Sequence, residues 1–159
     1  VVVLTNTDQN TFFQSLTNEI RDAFLGLPFT NYSLKSLRHF NEEEFSNSRW
    51  LDSLNNIISK HNTPAIELKN YSGIFTNRVY GDIEVTSEGS GLNIHFSNHP
   101  ELIGKLEYIQ SNSFLCTYSN PTMGIKEIPF KFEKGKITGF TLRVADFVES
   151  TPYEFVRKK

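Results

Sequence analysis

Residues 92–118 read LNIHFSNHPELIGKLEYIQSNSFLCTY, and large apolar side chains recur at alternate positions along most of this stretch. Leu92, Ile94 and Phe96 alternate with polar neighbours, and a turn signal follows at Asn98-His99-Pro100. A period of two is typical of β-strands that bury one face. Because the gaps between the runs are too short for crossover helices, neighbouring strands are predicted to pair antiparallel.

The same period continues from Ile66 to the end of the chain, with turn-type residues between the runs. About eight short strands in close succession predict an antiparallel meander or barrel, which makes the chain mainly β with N-terminal helices. Fourteen Phe and six Tyr suit a sheet core, since both residue types favour strands. This many rings predicts a mostly filled interior. The residues expected to point inward are Phe96, Leu106, Phe114, Phe130 and Phe140, with Phe132 close behind.

Two helices are predicted before the barrel. Thr7 and Asp8 are N-cap residue types, and the helical spacing that follows stops at Gly26 and Pro28. The apolar residues with that spacing are Phe12, Phe13, Leu16, Ile20 and Phe24. The mixed segment 29–40 predicts a loop with a short helical turn.

The second helix is predicted over Glu42–Lys60, before Pro64. Its apolar stripe is expected to pack on the following domain. The stripe consists of Phe45, Trp50, Leu51, Leu54, Ile57 and Ile58. Val1–Leu4 is wholly apolar and predicts a strand buried on both faces. Because the chain opens on this run without an initiator Met, we expect further sequence before it.

Composition and charge exclude several classes of protein. The net charge is −2, and the basic run Arg157-Lys158-Lys159 is interpreted as a solvated end, so nucleic acid is not an expected partner. No apolar run approaches the roughly 20 residues that span a bilayer. The single cysteine, Cys116, alternates with Phe114 and is predicted to be a small buried apolar side chain.

The candidate catalytic and metal motifs are incomplete. His95 and His99 lie at a strand end and a turn rather than on one helix face, and no cysteine or paired carboxylate completes a metal site. Tyr118-Ser119-Asn120 matches a Y-x-N element, but no serine in the chain has a lysine three residues later. No phosphate-binding glycine loop is present. We therefore predict no catalytic residues, no metal and no cofactor.

Two stretches carry a resemblance. The opening VVVLTNTDQNTFFQSLTNEIRDAFLGLPFTNYS resembles the end of the hydrolase domain in β-lactamase-related serine hydrolases, close to class C β-lactamases and penicillin-binding proteins. The remainder, from IELKNYSGIFTNRVYGDIEVTSEGSGLNIHFSNHPELIGKLEYIQSNSF through FKFEKGKITGFTLRV to YEFVRK, resembles a domain of unknown function at their C-termini. One departure is Tyr108-Ile109, where that family often has a His-Trp pair.

The resemblance implies a lipocalin-like barrel and a parent enzyme in the periplasm or outside the cell. Residues 1–40 are then the last strand and helix of a hydrolase domain, 41–64 a linker helix, and 65–159 the barrel. It also implies that the catalytic serine, lysine and tyrosine lie before residue 1. On this interpretation the chain itself is not an enzyme.

Two functions remain open. The first is a non-catalytic accessory module that packs on its own hydrolase domain. The alternative is a small-ligand binder, whose pocket would be a shallow one at a barrel end lined by tyrosines. The candidate contact residues are Tyr71, Tyr80, Tyr108 and Tyr118. An exposed apolar strand is a template for pairing, so Val1–Asn6 is a candidate contact for a homo-oligomer.

Overall fold

The computed structural model describes residues 1–6, 11–60, 62–143 and 151–159. In this part of the chain, two helices precede a closed barrel of eight antiparallel strands, which confirms the predicted fold class. The chain divides into two compact units, the first Val1–Ser53 and the second Leu54–Lys159.

The barrel is an up-and-down meander in which each strand pairs with the next, and the last strand pairs with the first. Two-residue turns such as Ser111-Asn112 close several of the hairpins. Both Ser111 and Asn112 have positive φ, as type I′ turns require. We call the barrel end with this turn the Asn112 end, and the opposite end, with the Ser97-Asn98 turn, the Asn98 end. The strands are β1 Gly73–Asn77, β2 Gly81–Glu88, β3 Gly91–Phe96, β4 His99–Gln110, β5 Ser113–Tyr118, β6 Ile125–Glu133, β7 Lys136–Leu142 and β8 Tyr153–Arg157.

Interlocking aromatic rings form the centre of the barrel core. The five predicted inward-facing residues are all buried, at 7% exposure or less, so the predicted register is correct for them. Tyr71 and Phe114 meet edge to face with ring centroids 5.0 Å apart, and Phe114 and Phe130 do the same at 5.4 Å. Such geometry is favourable for aromatic pairs beyond the area they bury.

Phe132 departs from the prediction because it is 46% exposed. The β6–β7 register shifts between Lys131 and Phe132, next to the turn that ends β6. An irregularity of this kind re-aims a side chain, so the ring leaves the interior. The turn predicted at Asn98-His99-Pro100 is also displaced, since β4 already begins at His99. In the sequence, the alternation of Phe140 and Leu142 continues to Val144, which lies outside the described residues.

Helix α1 covers Phe12–Phe24, and its end agrees with the sequence. Gly26 has a φ of 67°, and the Leu27 N–H donates to the Asp22 carbonyl at 2.9 Å, which is the hydrogen bond of a Schellman motif. Thr7 and Asp8, the predicted N-cap residues, lie outside the described residues. The residue before the helix is Thr11, whose side chain makes no capping hydrogen bond.

Helix α2 covers Tyr32–Ile58, so the loop predicted over 29–40 is wrong from residue 32 onward. The Asn31 side chain accepts a hydrogen bond from the Leu34 N–H at 2.7 Å and caps the helix there. The helix ends at Ile58, close to the predicted Lys60.

Val1–Leu4 does not form the predicted strand. Val1, Val2 and Leu4 are 68%, 84% and 89% exposed, and the segment pairs with no strand of the described chain. A lone apolar segment gains a regular strand conformation when a neighbouring strand satisfies its backbone groups. The prediction failed because an apolar run indicates only that a segment can form a strand. It does not indicate that a partner strand is present.

Candidate functional site

The last turn of α2 packs on the outside of the barrel. Leu54 is buried against Ile109 of β4 and Leu115 of β5, with Ile57 and Ile58 partly buried beside them. Ile109 reaches this outer surface where the β4–β5 register shifts between Tyr108 and Gln110. The predicted packing stripe is therefore correct for the end of the helix. Phe45 and Trp50 belong to the first unit and are 66% and 39% exposed, and their packing on the following domain stays a prediction.

Beyond α2, the chain passes along the Asn112 end of the barrel and leaves a groove of about 940 Å³. Ile66 and Leu68 from this passing segment pack against the barrel core. The opposite wall is the end of the β2–β3 hairpin and the neighbouring part of β4. We call this space the linker groove; its lining residues are Ile58, Asn62, Thr63, Pro64, Ala65, Ile66, Glu67, Leu68, Glu88, Ser90, Gly91, Leu92, Asn93, Lys105, Glu107 and Tyr108.

Both apolar and charged groups line the linker groove. Leu92 is 1% exposed and anchors the apolar part, next to Ile66 and Leu68. Charged side chains line the wall formed by the strands. The Lys105 ammonium lies 3.3 Å from a Glu107 carboxylate oxygen, so these two charges compensate each other. The groove can therefore contact an apolar group and a polar group of one molecule at the same time.

The four candidate tyrosines lie at two different ends of the barrel. Tyr71 and Tyr108 are at the Asn112 end, and Tyr108 lines the linker groove. Tyr71 is fully buried, its hydroxyl bonds the Asn112 side chain, and burial raises the pKa of that hydroxyl. Tyr80 and Tyr118 are at the Asn98 end, so the structure does not bring the four together. That any of them contacts a ligand stays a prediction.

The Y-x-N tripeptide has a structural role at the end of β5. The Ser119 hydroxyl donates to the Glu101 carbonyl at 3.2 Å and accepts from the Ile103 N–H at 3.0 Å. The Asn120 side chain accepts from the Thr122 N–H at 3.1 Å and begins a short 3-10 turn. These contacts fix the loop after β5 to the edge of β4.

The surroundings of Cys116 and His95 also indicate structural roles for these two residues. Cys116 is fully buried, and burial raises the pKa of its thiol to about 12. The thiol is therefore neutral at physiological pH and a poor nucleophile. His95 Nε2 lies 3.4 Å from the Thr86 hydroxyl.

Among residues 1–6, 11–60, 62–143 and 151–159, no group of three His, Cys, Asp or Glu side chains could hold a metal ion. No helix in these ranges is long and apolar enough to cross a membrane.

Arg157 departs from the interpretation of the terminal basic run as a solvated end, whereas Lys158 and Lys159 are exposed. Arg157 donates to the backbone carbonyls of Asn70, Ser72 and Ile137 at 2.7 to 2.8 Å. Lys158 pairs with Asp82 at 2.7 Å. The alternation of β8 in the sequence could have indicated that Arg157 is not solvated. It places Arg157 two residues after the inward-facing Phe155.

The family model described as "Domain of unknown function (DUF3471)" matches residues 59–157, which include all eight strands and most of the linker groove. No curated protein and no solved structure matches the chain significantly.

Proposed function

Because the chain belongs to the DUF3471 family, we propose that its barrel is a non-catalytic accessory module of a β-lactamase-related serine hydrolase. In this proposal the first unit packs on the catalytic domain of that hydrolase, and the whole protein acts in the periplasm or outside the cell. The support from the sequence is the resemblance of the opening segment to the end of such a hydrolase domain. The support from the structure is the surface of the first unit.

Hydrogen bonds join α1 and α2, and the buried residues of α1 are polar; this observation carries the proposal. Ser15 and Asp22 are the buried residues of α1. The Ser15 and Ser36 hydroxyls lie 2.7 Å apart, and the Tyr32 hydroxyl donates to Asp22 at 2.6 Å. A helix pair joined by polar contacts gains little from the hydrophobic effect, which is the main favourable term in folding.

The large apolar side chains of the same unit are exposed instead. Phe24 is 83% exposed, and other apolar residues of both helices and of the segment between them are at least one third exposed. They include Phe12, Phe13, Leu25, Leu27, Phe29, Leu34, Leu37, Phe40 and Phe45. Exposed apolar groups on this scale mark surfaces that another protein or domain covers. A catalytic domain that continues the same chain is the occupant that the sequence resemblance names.

The exposed segment Val1–Leu4 fits the same interpretation. Its backbone can add to the edge of a sheet, and its apolar side chains can be buried on both faces there. A sheet in the catalytic domain would supply that edge. A second copy of this chain is the competing occupant, and it corresponds to the homo-oligomer predicted through Val1–Asn6.

The barrel supports a non-catalytic role through its interior. Edge-to-face rings occupy its centre, with Phe75 and Phe140 centroids 5.0 Å apart and Phe140 and Phe155 stacked at 5.3 Å. Two candidate groups considered in the sequence analysis have structural surroundings. The Ser119 hydroxyl bonds to the β4 backbone, and the Cys116 thiol is buried. Contacts with other molecules are therefore left to the outer surfaces.

The proposal is tested by determining the coding sequence before Val1 and co-expressing the protein it encodes with this chain. We expect S-x-x-K and Y-x-N motifs in that sequence and co-purification of the two parts in equal amounts. Replacing Phe24 and Leu37 together by Ser should weaken the association. The matched control is Ile74→Ser, which changes an exposed apolar side chain on β1. An upstream sequence without these motifs, or two parts that do not associate, would refute the proposal.

A further inference from the structure

We propose that the linker groove is a binding site for a small amphipathic cation, an apolar molecule that carries one amine or guanidinium group. Its apolar body would lie on Ile66, Leu68 and Leu92, and its positive charge would lie beside Glu88. All residues that line this site belong to the second unit, and the proposal does not depend on the identity of the parent enzyme.

The size of the groove fits a small molecule. Its volume of about 940 Å³ lies within the range of sites that take drug-sized ligands. Such sites are mostly apolar with a few polar groups that orient the ligand. Leu92 and the partly buried Ile66 and Leu68 supply the apolar part, and the Tyr108 ring, packed 5.4 Å from the Phe114 ring, extends it.

The charges around the groove favour a cation. Its lining includes three carboxylates, on Glu67, Glu88 and Glu107, and one ammonium, on Lys105. Glu107 is paired with Lys105, and Glu67 with Lys69 outside the lining. The Glu88 carboxylate accepts a hydrogen bond from the neutral Asn93 amide, and among the described residues no cation pairs with it. A ligand cation would supply that missing positive charge.

The strand that carries Glu88 is paired with its neighbour up to this residue. Glu88 pairs with Gly91 at the end of the β2–β3 hairpin. A Cβ atom on Gly91 would lie 2.8 Å from the Leu106 carbonyl oxygen, so β3 and β4 are in close contact there. The carboxylate is thus held at the end of a paired strand. Ligand binding therefore carries only a small entropic cost for ordering the backbone.

Three fluorescent probes that share one aromatic group test the charge preference. Dansylcadaverine is a cation, dansylamide is neutral and dansylglycine is an anion at pH 7. Titrated into the full chain at low salt, dansylcadaverine should bind most tightly and dansylglycine most weakly. The higher affinity of dansylcadaverine should decrease at high salt because salt screens exposed charges. Equal affinity for all three probes would refute the proposal.

Two groove variants locate the site. Glu88→Gln should weaken dansylcadaverine binding about fivefold, the upper value for an exposed ion pair, and leave dansylamide unchanged. Glu133→Gln, at an exposed position of β6 outside the groove, is the matched control and should change neither. Ser90→Trp, in the hairpin turn, should fill the groove and prevent binding of both probes.

The apolar surface of the first unit could also attract an aromatic probe, so Phe24→Ser is the control for location. Binding that survives Ser90→Trp but is lost in Phe24→Ser would overturn the groove assignment. Loss in Ser90→Trp with full binding in Phe24→Ser would support it. Circular dichroism of each variant verifies that the barrel is still folded. Failure here leaves the co-purification test of the parent hydrolase unaffected, because that test monitors a different surface.

Discussion

The Arg157 guanidinium lies over the Phe75 ring, with its central carbon 4.7 Å from the ring centroid. This contact joins the end of β8 to β1 at the Asn112 end of the barrel. The same guanidinium holds the backbone before β1 through the carbonyls of Asn70 and Ser72. A single side chain thus links the last strand to the first strand and to the segment that leads into it.

Removing this side chain should destabilise the barrel. Arg157→Ala loses three hydrogen bonds from a charged donor and leaves partly buried carbonyls unsatisfied, so we expect a loss of about 2–4 kcal/mol in the free energy of unfolding. Arg157→Lys should recover only part of this loss, since an ammonium lacks the planar fork of donors. Urea denaturation measures the free energy of unfolding of both variants. Arg143→Ala, at an exposed position, is the control and should change stability by less than about 0.5 kcal/mol.

Gly73 is required where Arg157 passes β1. Its φ is +145°, and an added Cβ would lie 2.5 Å from an Arg157 guanidinium nitrogen. Gly73→Ala should therefore cost about 2–3 kcal/mol from the strained backbone and the displaced side chain. Gly135→Ala is the matched control, because Gly135 also has positive φ but no atom near its added Cβ. If both variants lose the same stability, the contact with Arg157 has no energetic importance.

The position of a phenylalanine along its strand should decide its contribution to stability. Phe114 is fully buried, so Phe114→Ala should cost about 3–5 kcal/mol. Phe132 is 46% exposed, so Phe132→Ala should cost less than about 1.5 kcal/mol. Comparison of the two urea midpoints checks the register shift in β6. Equal losses would mean that Phe132 lies inside the barrel after all.

The barrel could be predicted because each strand has one buried and one exposed face. That asymmetry appears directly in the sequence as a period of two, and the turn residues between the runs set the antiparallel order. The start of α2 was missed because 29–40 lacks a clear apolar stripe, while the cap that begins the helix is one residue, Asn31. Phe132 was missed because a one-residue register shift has no periodic signal.

The linker groove could not be predicted from local sequence. Ile66, Glu88 and Lys105 line one space, although they come from a linker and two different strands. The link between Arg157 and Asn70 joins residues 87 positions apart. Contacts of this kind depend on how the barrel closes. The alternation predicts the topology of the barrel, but it does not predict which side chains become neighbours. The tyrosines were identified as one group because alternation cannot distinguish the two ends of a barrel.

The buried thiol of Cys116 should make the barrel less stable at high pH. Burial holds the pKa of this thiol at about 12 in the folded state, against an ordinary value of 9.0. Between these two values the unfolded chain releases the proton while the folded chain keeps it. The unfolded state then binds fewer protons, so the free energy of unfolding must fall as pH rises through this window. For one group the fall is at most about 1.4 kcal/mol per pH unit.

Tyrosine and lysine side chains titrate in the same window, so the measurement needs a variant without the thiol. Urea denaturation of the native chain and of Cys116→Ala between pH 8.5 and about 10.5, well below the folded pKa, separates the two contributions. Cys116→Ala should be less stable at pH 8.5, because it leaves a small cavity beside Gly104. The stability difference should then narrow as pH rises. A difference that stays constant across the window would show that the folded thiol titrates at its ordinary pKa and that Cys116 is accessible to water.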